Sequence, residues 1–230
     1  MEYTTRYIED DKAEAGIDEA GRGPFWGPLM AAAVILPAEE TLTEEQKKLF
    51  VQVRDSKKIS EKKRKVIADG IKKHATTWAI GTVTAQEIDD NGMTWSNQTA
   101  FLRAVQGLQQ KPDRLIVDGT IPLSSNWPGE QHTVVDGDAI YLSVAAASIL
   151  AKVIHDEWII SYCDEHPELD TQYNLRKCKG YGTARHIAGI REHGLHEHHR
   201  RLFLRKLLGD ASRPEVSRPL VKDECAFINE

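Results

Sequence analysis

Four acidic residues stand where a carboxylate can do chemistry. Asp18 and Glu19 are adjacent, close an apolar run and precede a glycine turn, and Asp118 follows Leu115-Ile116-Val117 in the same way. A half-buried carboxylate at the end of an apolar run is costly unless it is paired or holds a cation. Asp156 lies inside a long apolar segment, four residues after Lys152 and eight after Ser148, so a helix puts all three on one face. Its plainer reading is a salt bridge with Lys152. Carboxylates gathered without imidazole or thiolate favour hard cations such as Mg2+ or Mn2+ over zinc. Two such ions about 3.5–4 Å apart can activate water and stabilise the leaving oxygen of a phosphodiester. His193, His196, His198 and His199 could bind zinc, but they read better as a basic helix start facing nucleic acid or solvent. Asn97-Gln98-Thr99 matches a glycosylation acceptor by chance and carries no weight.

The elements that must carry these residues alternate. Residues 13–18 and 29–36 read as strands joined by a glycine- and proline-rich turn, with a third strand over 76–82. Thr84-Ala85-Gln86-Glu87 has capping-box form and starts a short helix that stops near Asn91-Gly92, and a second helix covers 96–109. Short strands are expected at 115–117 and 133–135. A long, mostly buried helix should run from 139 to about 162. Beyond Pro167 the chain turns basic and histidine-rich, with helices expected over 184–192 and 199–208. The pattern is an α/β or α+β fold around a mixed sheet. Its divisions are a catalytic domain over 1–165, a helical extension over 166–208 that completes the substrate site, and a flexible tail over 209–230.

Composition narrows the class further. The chain has 230 residues, 40% of them hydrophobic, and a net charge of −5, so it is no general polycation, and any nucleic-acid surface must be local. Lys57, Lys58 and Lys62 to Lys65, the basic residues from Arg176 to Arg185, and those from His198 to Lys206 form three such clusters. Taken alone, each reads as a solvated helix face. Three cysteines without C-x-x-C spacing indicate neither a disulfide framework nor a zinc ribbon and fit a reducing cytoplasm. No apolar run reaches the ~18 residues of a membrane span, and no secretory leader is evident. A soluble, cytoplasmic monomer is expected.

Ile17-Asp18-Glu19-Ala20-Gly21-Arg22-Gly23-Pro24 resembles the signature of the type 2 ribonuclease H family. Asp55-Ser56-Lys57-Lys58-Ile59-Ser60, Val117-Asp118-Gly119, the segment Ala145 to Val153 (AAASILAKV) and Lys179-Gly180-Tyr181-Gly182-Thr183 resemble its further motifs in the same order. The resemblance implies a ribonuclease H-like mixed sheet flanked by helices, with a small helical C-terminal part. It implies an endonuclease acting on RNA/DNA hybrids and on ribonucleotides embedded in duplex DNA, cutting on the 5′ side by a two-metal mechanism. Carried over by position, the catalytic and metal-binding acids are Asp18, Glu19, Asp118 and Asp156. Gly21, Arg22 and Gly23 read the ribose 2′-hydroxyl, the group that separates RNA from DNA; Tyr181 stacks on the following deoxyribose; Lys57 and Lys58 contact phosphates. Three departures stand out: Ile154-His155 replaces threonine-arginine before Asp156, the turn continues with the bulky Phe25-Trp26, and Leu202 occupies a usual serine position. The lack of long insertions points to the bacterial form. A replication partner on the tail is left open. Rival readings are another carboxylate-metal nuclease, a non-catalytic hybrid-binding module, or a metal-free glycosidase.

Overall fold

The computed structural model describes residues 4–53, 60–123 and 127–209. Five strands form one mixed sheet in the order β3-β2-β1-β4-β5. They are β1 (Glu14–Ala20), β2 (Leu29–Ile35), β3 (Thr77–Val83), β4 (Arg114–Asp118) and β5 (Glu130–Val134). The first three form an antiparallel meander, whereas β4 runs parallel to β1 and β5 parallel to β4. Ala-rich β2 is buried along its whole length because both faces of the sheet are covered.

Pleating sends alternate side chains of each strand to opposite faces. On one face Ile17, Ala31, Ala33, Leu115 and Val117 pack with α3 (Ala85–Gln106), and on the other Ala32 and Val34 pack with α4 (Leu142–Glu165). Helix α4 is apolar almost all round, as a helix buried between a sheet and further helices must be. Helix α3 begins at Thr84 with the expected capping box. Gly92, at φ 78° and ψ 170°, breaks it into two helical pieces at the place where the sequence puts the boundary. Charge-rich residues produce α1 (Glu44–Phe50), which the sequence did not announce, and α2 (Glu61–His74), of which only the basic cluster at Lys62 to Lys65 was expected as a helix face. Helix α2 buries only Ile67, Ala68 and Ile71, so its apolar stripe is too thin to reveal its period.

Helices α5 (Pro167–Tyr173), α6 (Leu175–Cys178), α7 (Ala184–His193) and α8 (Arg201–Leu208) gather with the last turns of α4 around Trp26, Ile159, Leu175 and Leu204. Asp89 of α3 accepts from the backbone N–H groups of Arg201 and Leu202, both at 2.8 Å, and so caps α8 from outside its own helix. Among the described residues no helix is long and apolar enough to cross a membrane.

The β1–β4 end opposite the glycine turn is held by Arg114, 1% exposed, whose guanidinium meets Asp10 at 2.6 Å and buried Glu14 at 3.2 Å. Replacing Arg114 by Met strands Glu14 as an uncompensated buried charge. The expected loss is about 3 kcal/mol of unfolding free energy in urea melts; an unchanged midpoint contradicts it.

Candidate active site

Parallel pairing brings the first two acids together. Ile17 is paired with Val117, so Asp18 and Asp118 are the next residues along two adjacent parallel strands, at the same edge of the sheet and on the α4 face. Glu19 follows on the opposite face. Two helices therefore supply their partners: the Ser148 hydroxyl of α4 donates to Asp18, and the Asn97 amide of α3 donates to Glu19. Asn97 is 1% exposed, so this side chain is spent inside the molecule. The Gly137 N–H donates to Asp118 Oδ1 at 2.8 Å.

Asp18, Glu19, Asp118 and Ser148 line one cavity of about 260 Å3, together with Gly21, Arg22, Gly23, Arg64, Asp138, Lys152 and Tyr181. Asp138 is the unexpected member: it lies in a 3-10 turn (Gly137–Ala139) just before α4 and is 5% exposed. Burial raises the Asp18 carboxyl well above its ordinary pKa, and the charges of Glu19 and Asp118 push the same way. Glu19 is also raised by burial, with Arg22 opposing the shift and Asp118 adding to it. Burial first, and then repulsion among the acids, thus disfavours the charged forms of Asp18 and Glu19. All-oxygen donors under such repulsion suit a hard divalent cation. Among the described residues no three His, Cys, Asp or Glu side chains are close enough to hold an ion as they stand.

Asp156, the fourth acid expected from the sequence, is not on the cavity wall. Its Oδ1 meets Lys152 Nζ at 2.8 Å and His155 Nδ1 at 3.1 Å. Burial raises the Asp156 carboxyl, but the hydrogen bonds from His155 and Lys152 outweigh it and leave the pKa lowered. The i,i+4 geometry that puts Asp156 on the face of Ser148 and Lys152 also lets Lys152 cover it. His155 is fully buried behind the glycine turn and is held towards its neutral form by that burial. A Cβ on Gly21, which has φ 85°, would lie 2.6 Å from the His155 ring and 2.7 Å from the Pro28 carbonyl oxygen. Only glycine fits there.

Arg200 fixes the turn from beneath. Its guanidinium is fully buried and donates to the carbonyls of Gly27 at 2.9 Å and Arg22 at 3.3 Å. Tyr181 is 45% exposed and borders the turn, its Cε1 lying 3.4 Å from where a Cβ on Gly23 would stand. Gly180, at φ 78°, touches the turn so closely that a Cβ there would meet the Trp26 carbonyl oxygen at 2.3 Å. Lys57 and Lys58 lie outside the described residues. Asn97, Ser148, Asp138 and Arg200 were not singled out from the sequence for this site. Ser148 lies in the Ala145 to Val153 motif and Arg200 in the basic cluster from His198 to Lys206, so both carried a signal, whereas Asn97 carried none.

The histidines expected at a solvated helix start are partly interior. His199 is 2% exposed and His186 fully buried, their Nε2 atoms 3.0 Å apart, with the Tyr173 ring edge-on to both. Burial, and then the neighbouring His186, lower the His199 pKa from 6.5 to about 3. Unfolding restores the ordinary value, so this contribution to stability is complete above pH 6.5 and drains away as pH falls towards 3. At pH 5 the loss is about 2 kcal/mol. His186, His196 and His198 act on the ring, and buried Asp18 and Glu19 titrate with the opposite sign. The difference between the native chain and His199→Gln in urea melts from pH 7 to 5 isolates the effect; parallel pH curves refute it.

A family model described as ribonuclease HII matches residues 15–206. Ribonuclease HII of Prochlorococcus marinus is 44% identical over 195 residues, which is 84% of this chain and 96% of that protein. Among solved structures, ribonuclease H2 from Pyrococcus horikoshii superposes with a TM-score of 0.68 at 26% identity, covering 84% of this chain and 96% of that one. Ribonuclease HII of Archaeoglobus fulgidus, solved as a complex with PCNA, gives 0.63 at 25% identity, covering 85% and 94%.

Proposed function

The chain belongs to the ribonuclease HII family, metal-dependent ribonucleases H that act on RNA/DNA hybrids, and from that premise we propose that its acidic cavity cuts the phosphodiester on the 5′ side of a ribonucleotide within duplex DNA or a hybrid. The products are a 3′-hydroxyl and a 5′-phosphate, as ribonucleotide and primer removal require. The observation that carries the reading is the shared wall of the cavity, where four carboxylates face a glycine turn and an exposed tyrosine.

Asp18, Glu19, Asp118 and Asp138 hold the cations, Mg2+ or Mn2+, and Asp138 takes the place that the sequence assigns to Asp156. Divalent cations bound there supply the charge that activates water and stabilises the departing 3′ oxygen. The carboxylates must rotate towards the ions. Ser148, Asn97 and the Gly137 N–H set the orientations from which they do so. Divalent cations there would favour the charged forms of Asp18 and Glu19, against the burial that raises both carboxyls. Gly21, Arg22 and Gly23 present backbone to the ribose 2′-hydroxyl, in a turn whose left-handed backbone at Gly21 is suited to glycine. Tyr181 stacks on the deoxyribose that follows, and Lys152 and Arg64 bring positive charge to the phosphates. Asp156 keeps Lys152 in place.

A labelled DNA duplex with one ribonucleotide, beside an all-DNA control, tests this with Mg2+, Mn2+ and EDTA. The expected result is a metal-dependent cut 5′ to the ribonucleotide and none in the control. Cleavage indifferent to the ribose sinks the reading in favour of a general carboxylate-metal nuclease.

A further inference from the structure

The residues proposed to read the two sugars come from opposite ends of the chain, and something must fix their spacing. Tyr181 stands between two glycines, where the backbone is intrinsically loose. Its carbonyl oxygen accepts from the Thr183 N–H at 2.8 Å and lies 2.9 Å from His186 Nδ1. A carbonyl only accepts, so His186 carries its proton on Nδ1, and its Nε2 is a bare acceptor. At the far end, His199 Nδ1 accepts the His196 N–H at 2.8 Å, which puts the His199 proton on Nε2. That proton points at His186 Nε2, 3.0 Å away. Every ring nitrogen of the pair is satisfied with both rings neutral, as their burial demands.

The next residue continues the link in the other direction. The His199 backbone is bridged to Trp26, and the Arg200 N–H donates to the Phe25 carbonyl at 2.7 Å. The Arg200 side chain then reaches the carbonyls of Arg22 and Gly27. One dipeptide thus has an arm to the tyrosine and an arm to the glycine turn. We propose that His186 and His199 are positioning residues which, with Arg200, set the distance between Tyr181 and the 21–23 turn, and through it the enzyme's preference for a ribose followed by a deoxyribose. This rests on the reading of Tyr181 given above.

A double-mutant cycle separates the two ideas, because residues that act through one another are not additive. His186→Leu removes the link, and His186→Asn keeps a donor where Nδ1 stands. The leucine variant should lose about tenfold in kcat/KM on the single-ribonucleotide duplex, mainly through KM. His186→Asn, which offers His199 Nε2–H no acceptor, should recover only part of that loss, and in a Tyr181→Ala background His186→Leu should cost nothing more. Full additivity of His186→Leu with an impaired Tyr181→Ala, or an asparagine variant as active as the native chain, overturns the link alone. A Tyr181→Ala chain as active as the native one overturns the reading of Tyr181 and the functional role of the link with it. Should the leucine variant fail to fold, ring 15N shifts of the native protein carry the test. Nδ1–H on His186 with Nε2–H on His199 supports the relay, and any other pair of tautomers refutes it.

Discussion

Asp118→Asn under saturating Mg2+ should lower the single-turnover cleavage rate by about 10^3-fold, the scale of the several kcal/mol a cation contributes to such a transition state. The amide keeps the shape of the side chain and can still accept the Gly137 N–H. What it lacks is charge, at the point where two parallel strands deliver acids side by side. Loss of activity without loss of fold is therefore the expected signature, checked by an unchanged urea midpoint beside the rate. Cleavage at the native rate would remove Asp118 from the site.

The second large effect should come from the smallest side chain that can be added. Gly21→Ala puts a Cβ 2.6 Å from the His155 ring and 2.7 Å from the Pro28 carbonyl oxygen, on a residue whose φ is 85°. Left-handed backbone costs about 1–2 kcal/mol for alanine, and the fully buried imidazole has no free space into which to retreat. The turn must move, and a shift of about 1 Å in a residue that reads the substrate can cost 10^2-fold in kcat/KM. Gly23→Ala is the control, because its added Cβ stands 3.4 Å from the exposed Tyr181 ring and its φ is not in the left-handed region. It should lose much less. Equal losses would mean that backbone shape at Gly21 is not what matters.

Much of this was legible before any coordinates. Apolar runs that end in an acid announced Asp18 and Asp118, and their parallel register supplied the contact that sequence alone leaves open. The Gly92 break and the Thr84 cap were readable because they rest on local chemistry. Asp138 was not, since it lies in a single 3-10 turn between a short, half-buried strand and a helix whose apolar pattern starts beside it. Asp156 drew attention as an acid on a buried helix, yet its neighbour one turn earlier, Lys152, satisfies it. His199 was misplaced for a related reason: charge counting treats it as a cation, whereas the hydrogen-bond chain from Tyr181 through His186 to His196 keeps it neutral. Asn97 carried no signal, because its role depends on how α3 crosses the sheet edge.

The most direct measurement compares Asp138→Asn with Asp156→Asn in one single-turnover assay on the single-ribonucleotide duplex, with Mg2+ titrated for each. Asp138→Asn should lose cleavage on the scale of Asp118→Asn and need more Mg2+. Asp156→Asn, which disturbs only the pairing with Lys152 and His155, should stay within about tenfold of the native rate. The reverse order, with Asp156 essential and Asp138 dispensable, would contradict the cavity's four carboxylates as the catalytic set.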